Sequence, residues 1–283
     1  MILKNNNFSV LPFYKSPAER DSNKWYVNGK RFPLYMMQNE CLPFQIIDET
    51  ATLDTDSQFT VRMYNSSGAL YREIPWTMLR DWFTVKTFDD FSVLVCTGGD
   101  WLVWSGGSLV GVSNGTYYMV VEEAMSSKKW YSEYFVYVND TEPYLCLSWR
   151  DNSDFVMDSG VIVYTNPWFI NKLYLPATLA KPEYPFEEEG ESRDGVFYPT
   201  KQISSKRYRF TFFAPEYLLD VLRFVRMSEQ ITIAQGNGNT RAEYNVDNIL
   251  FTPEWESQGD LAAVTCEFDT DTIAKKIGVA YVR

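Results

Sequence analysis

The segment "GTYYMVVEEAMSSKKWYSEYFVYVND", Gly115 to Asp140, decides the fold class. Tyr117, Met119 and Val121 alternate with Tyr118, Val120 and Glu122. After the polar turn "EAMSSKK", Tyr134, Val136 and Val138 alternate with Phe135 and Tyr137. Period-two alternation sends successive side chains to opposite faces, so the segment reads as a β-hairpin with one face in a core. The other face keeps its tyrosines, and an outward aromatic row on a folded protein marks a contact surface. Tyr118 and Tyr137 are the expected anchors of that row.

Upstream, strands are expected at Pro43–Asp48, Gln58–Tyr64, Ala69–Ile74, Asp90–Cys96 and Trp101–Trp104. The turn sequences "NSSG", "TGGD", "SGGS" and "SNG" punctuate this region. Short strands with regular turn signals predict an immunoglobulin-like β-sandwich over 34–140. "PWTMLRDWF" (Pro75–Phe83) reads as a helical turn crossing between sheets. Residues 1–33 read as an extended arm or loop region, with Asn28-Gly29 as a hairpin turn inside "WYVNGKRF".

Downstream, 141–283 reads as an α+β domain. "KRYRFTFF" (Lys206–Phe213) places Tyr208, Phe210 and Phe212 on one face of a strand. Ala214–Ser228 reads as a helix: Pro215 suits a first-turn position, and Leu218, Val221, Leu222 and Val225 recur at helical spacing. Strands at Gln230–Gln235, Ala242–Glu256 and Asp260–Asp271 complete an antiparallel sheet with the helix on one face. Between these parts, 181–195 holds Glu187, Glu188, Glu189 and Glu191 around Gly190 without apolar periodicity. It reads as a solvated acidic loop and lacks the alternating Asp/Asn ligands of an EF-hand.

Composition narrows the chemistry. The 283 residues carry a formal charge of −11 and no histidine. A backbone-gripping nucleic-acid protein needs a basic patch, and an anionic membrane surface needs the same, so neither partner is expected. Without histidine a Ser-His-Asp or Cys-His site cannot form within the chain. Asp100, Asp151 and Asp154 sit where turns place acids. Cys41, Cys96, Cys146 and Cys266 form no CxxC pair and read as small buried hydrophobes. The expectation is a non-enzymatic protein with no catalytic residue, no metal and no cofactor. "GGDWLVWSGG" holds Trp101 and Trp104, a sugar-stacking platform or, more simply, interface packing. With Tyr118, Tyr137, Glu187, Glu188 and Glu189 they make up the candidate interface. The start "MILKNNNFSVLPFYKS" has no apolar run followed by a small-residue cleavage site, so the chain is expected to stay in the cytoplasm where it is made.

The stretches "SNGTYYMVVEE…KKWYSEYFVYVND", "CLSWRDNS", "NKLYLPATLAKPEYPFEEEGESRDGVFYPTKQISSKRYRF", "APEYLLDVLRFV" and "TPEWESQGDLAAVTCEFDTDT" carry a resemblance. Over about Gly115 to Thr272 the chain resembles a family of virion proteins encoded by phages and prophages of Bacteroidetes. The resemblance implies a structural subunit near the tail or its tip, a baseplate position included, assembled in the host cytoplasm and resident in the virion. It implies other virion proteins as partners and a homo-oligomeric ring. The alternative reading is a β-sandwich protein that binds a host glycan or receptor.

Overall fold

A computed structural model of the chain describes residues 9–22, 26–27, 30–37, 40–41, 43–48, 53, 56–74, 83–87, 92–97, 99–100, 103–105, 108–140, 142–151, 156–158, 161–163, 169–236, 242–255 and 261–275. The protein is mainly β, built from several antiparallel sheets, as expected, with two helices among the described residues. Its largest sheet has eleven strands.

The Gly115–Glu123 strand is the hub of that sheet. On one edge it pairs antiparallel with Phe59–Asn65, which in turn pairs with Leu70–Ile74. On the other edge lies the returning half of the hairpin, in two pieces, Lys129–Ser132 and Phe135–Val138. Val120 faces Tyr131 and Tyr117 faces Phe135, so three steps on one strand match four on the other. The extra residue is a β-bulge at Glu133 and Tyr134.

The sheet then continues across position 140. Phe135–Val138 pairs in parallel with Leu34–Met37, and Tyr35 of that strand faces Tyr174 of Asn171–Leu175. Leu145–Arg150, Gln230–Gln235 and Ala242–Asn245 follow in order. Strands from both sides of the expected boundary at 140 therefore share one hydrogen-bonded sheet. Buried side chains from Val10 to Phe268 form one apolar cluster.

Beside it lie a three-stranded sheet, a four-stranded sheet and, among the described residues, four two-stranded ones. Phe44–Asp48, Ser92–Cys96 and Phe83–Thr87 form the three-stranded sheet. Phe83 of this sheet stacks on Phe59 of the large one, with ring centroids 5.5 Å apart. The four-stranded sheet has the order Phe186–Arg193, Val196–Pro215, Leu261–Lys275 and Asn248–Trp255. Tyr208 in it meets Tyr244 of the large sheet at 4.9 Å. The expected alternation holds here: Tyr208, Phe210 and Phe212 are buried, and Arg209, Thr211 and Phe213 are exposed.

The helix spans Glu216–Val225, inside the expected 214–228. Pro215 stands at its N-cap, Glu216 lies in the first turn, and Leu218, Val221, Leu222 and Val225 are buried. No described helix is long and apolar enough to cross a membrane.

The N-terminal region, expected as an extended arm or loop, is partly interior. Every residue from Ser9 to Tyr14 is buried. The apolar run "VLPFY" explains this, because Val10, Leu11 and Phe13 enter the common core. The short helix Pro17–Ser22 follows. Ser16 Oγ accepts from the Glu19 amide at 3.1 Å, and Glu19 Oε2 accepts from the Lys15 amide at 2.9 Å. This is a variant of the capping box, with proline at the first helical position.

Pro75–Trp82, read above as part of a helical turn, lies outside the described residues, and Phe83 begins a strand.

Candidate functional site

The segment expected as a solvated acidic loop is a strand. Phe186–Arg193 pairs antiparallel with Val196–Ser204 through a two-residue turn at Asp194-Gly195. Both turn residues have positive φ, 51° and 80°. That combination is the type I′ geometry that joins tight hairpins, and Asp-Gly is a favoured sequence for it. The glutamates gave no apolar periodicity because neither face of this hairpin enters a core.

Only part of the long Val196–Pro215 strand has two neighbours. Its pairing with Leu261–Lys275 runs from Gln202 to Pro215. Among the described residues, 196–201 pair with the first strand of their own hairpin alone. Within the described residues the hairpin therefore extends past the rest of its sheet as a two-stranded arm, and every residue from Phe186 to Tyr198 is exposed. Phe186, Phe197 and Tyr198 are 59%, 49% and 49% exposed. Tyr184 and Ile273 are exposed at the base, where Phe186 and Ile273 flank Ser204 in register.

A two-stranded ribbon is marginally stable alone in water. Clustered exposed aromatics are the usual mark of a contact site. The arm is held by local devices. The Gln202 side-chain amide donates to Glu188 at 2.6 Å, and Arg193 pairs with Glu191 at 2.6 Å. Lys201 lies 3.8 Å from Glu189, and Thr200 Oγ1 donates to the Glu189 carbonyl at 3.1 Å. The register slips between Glu189 and Gly190, and the Phe197 ring lies over Gly190.

Glu187 and Glu188 thus sit at the base of one hairpin and Glu189 on its projecting part, joined by the aromatics Phe186 at the base and Phe197 and Tyr198 on the arm, which were not singled out from the sequence. Asp194-Gly195 was the available signal for them.

The other candidates lie elsewhere. Tyr137 is fully buried. It faces Gly115 across the hairpin and shares the face of Tyr117, so it fills core space over a residue without a side chain. It is not an outward anchor. Trp101 lies outside the described residues, and of Trp104 only the backbone pairing with Leu109 is described.

Tyr118 is half-buried on the opposite face from Tyr137. It stacks on Tyr64 at 5.3 Å and meets the edge of Tyr134 at 5.3 Å. Arg20, from the short N-terminal helix, fills the space between. Its guanidinium lies 4.5 Å from the Tyr118 ring centroid and 4.2 Å from that of Tyr134, and it donates to the Tyr134 hydroxyl at 2.9 Å. The tyrosine row is therefore covered in part by the protein's own N-terminal segment. Burial, outweighing the opposing charge of Arg20, holds the Tyr118 hydroxyl above the ordinary phenol pKa.

A polar cleft of about 660 Å³ lies on the large sheet. Lys172, Ser148, Thr232 and Asn245 form a cross-strand row there. Ser148 and Thr232 share a hydrogen bond of 2.5 Å, so the described partner of the serine hydroxyl is another hydroxyl and not a base. Arg150 Nε donates to Gln230 at 2.6 Å. Asp151 at the rim accepts from the Glu229 amide at 2.7 Å, and burial raises its pKa. The row offers hydrogen bonds and charge to a polar ligand. Among the described residues no group of three or more Cys, Asp or Glu is placed to hold a metal ion.

Neither a protein-family model nor a curated protein matches the chain.

Proposed function

We propose that the protein is a non-enzymatic structural subunit of a phage virion, of the tail, tail tip or baseplate, acting through protein–protein contacts. The observation that supports this most is the projecting arm, with Phe186, Phe197 and Tyr198 exposed on a ribbon that touches no other described part of the body beyond its base. Contact surfaces use aromatic anchors of this kind, because a rigid ring brings large area at small entropic cost. The resemblance of residues 115–272 to Bacteroidetes phage virion proteins supplies the context. The test is peptide mass spectrometry of purified particles from cells carrying the gene. The chain should be present at a fixed ratio to the tail proteins, and particles that lack it would overturn the reading.

The second reading, a glycan- or receptor-binding protein, rests on the polar cleft around Ser148 and Thr232. A glycan array separates the two: saturable binding lost in Thr232→Val favours the receptor reading.

A further inference from the structure

We propose that the arm of one copy seats on the C-terminal end of the Glu216–Val225 helix of the next copy, head to tail. The inference rests on the structural-subunit reading and names the partner of the arm.

The first argument is charge. Glu187, Glu188, Glu189 and Glu191 lie on one strand, and its one described strand partner is Val196–Ser204. Two copies meeting through this same strand would bring like charges face to face, which destabilises strand pairing. A symmetric arm-to-arm contact is therefore disfavoured. The arm calls for a different surface, one that is cationic and apolar.

On the described surface, exposed apolar side chains stand beside cations at Met125, Tyr71 and Met227, among other places. Met125 neighbours Lys128 and Lys129, but Lys128 is held by Asp48 at 2.8 Å and Lys129 faces Glu122 at 3.4 Å. Tyr71 neighbours Arg72, whose guanidinium donates to the Gly111 carbonyl at 3.1 Å. Met227, 67% exposed, stands beside Arg226 and one helical turn from Arg223.

The helix end does not need these arginines as caps. The Met227 amide and Ser228 Oγ both donate to the Phe224 carbonyl, at 3.1 and 3.0 Å, and the Ser228 amide donates to the Val225 carbonyl at 3.1 Å. The Arg223 side chain is 76% exposed, and its ion pair among the described residues is with Asp220, at 3.4 Å. Arg226 is exposed, with no ion pair among the described residues.

The second argument is distance. The arm tip and the helix lie at opposite ends of the Val196–Pro215 strand, which is 20 residues long. At about 3.3 Å per residue that puts the tip up to roughly 60 Å from the helix, and Glu189, opposite Lys201, roughly 45 Å from it. A copy's own arm cannot reach its own helix, so the two surfaces can meet only between copies. Such a heterologous contact closes into a ring if its rotation allows, and otherwise grows as a filament.

Light scattering of the purified chain over a concentration series tests this. The wild type should associate, and more weakly at high salt. The triple variant Glu187→Lys, Glu188→Lys, Glu189→Lys should need roughly tenfold more protein to associate. So should Arg223→Glu with Arg226→Glu. A chain carrying both sets should associate again, because the charges are exchanged and not removed. All the changed residues are exposed, so melting temperatures check that each variant folds. A wild type that stays monomeric overturns the contact, as does loss of association in the arm variant alone or a combined variant that fails to recover. None of these results alters the particle-composition test of the virion reading.

Discussion

The Phe197 ring lies across Gly190, so close that a β-carbon at position 190 would stand 2.6 Å from its Cζ atom and nearer still to the Tyr198 carbonyl oxygen. The contact fixes the arm at its register slip, in the way an aromatic covers an edge glycine. Gly190→Ala should therefore loosen the arm without unfolding the body. Overpacking of this kind costs about 1–3 kcal/mol. Amide exchange across 186–193 should accelerate while the thermal midpoint of the body holds. Unchanged exchange would show that the glycine is not needed.

Arg20 should behave as a latch for the N-terminal segment. Arg20→Ala removes two ring contacts and the bond to Tyr134, with an expected loss of about 1–3 kcal/mol in urea unfolding. Arg20→Lys should recover only part of this, because an ammonium cannot stack flat between rings. Full recovery with lysine would point to charge alone.

Tyr137→Ala should damage the folded monomer, not an interface. The residue is fully buried, and large aromatic truncations in a core cost about 3–5 kcal/mol. Denaturant unfolding of the isolated chain reads this directly. A variant with wild-type stability but impaired association would restore Tyr137 as a surface anchor.

Stability should fall above the ordinary phenol range. Tyr217 donates its hydroxyl to the Val10 carbonyl at 3.2 Å. Burial first, then Tyr14 and Glu133, holds its pKa well above the ordinary tyrosine value. The unfolded chain loses this proton near pH 10 while the folded chain keeps it, so the unfolded state binds fewer protons and gains as pH rises. The contribution is complete below about pH 10 and declines above it. Tyr217→Phe should flatten that decline in a comparison of midpoints at pH 8 and pH 11, and an unchanged slope would falsify the assignment.

The cysteines should resist labelling. Cys96, Cys146 and Cys266 are buried, and burial, with a smaller push from Glu267, raises the Cys266 thiol far above its usual range. A thiolate-selective reagent at neutral pH should modify all three only after denaturant is added. Rapid modification in buffer would mean local opening of the Leu261–Lys275 strand.

Much of this architecture was readable residue by residue. The hairpin at 115–138, the alternation of Tyr208, Phe210 and Phe212, and the helix around Leu218 to Val225 all announce themselves through periodicity, because each buries one face. The arm did not, since a ribbon exposed on both faces has no apolar rhythm, and its Asp-Gly turn was the surviving clue. Tyr137 was misjudged because both rows of the returning strand are apolar or aromatic. Only the register with Gly115 decides which row faces in. The Leu34–Met37 strand was missed because parallel pairing leaves no turn in the sequence to betray it.

That parallel strand has a consequence for how the protein comes into being. Leu34–Met37 is hydrogen-bonded to Phe135–Val138 on one side, and its Tyr35 pairs with Tyr174 on the other. A segment made early on the ribosome must therefore wait for more than a hundred further residues before either neighbour exists. Non-local pairings of this span slow folding and leave edges unpaired meanwhile. The body of this protein cannot close until Phe135–Val138 and Asn171–Leu175 have been made, and until then its nascent chain needs protection from its own exposed strands.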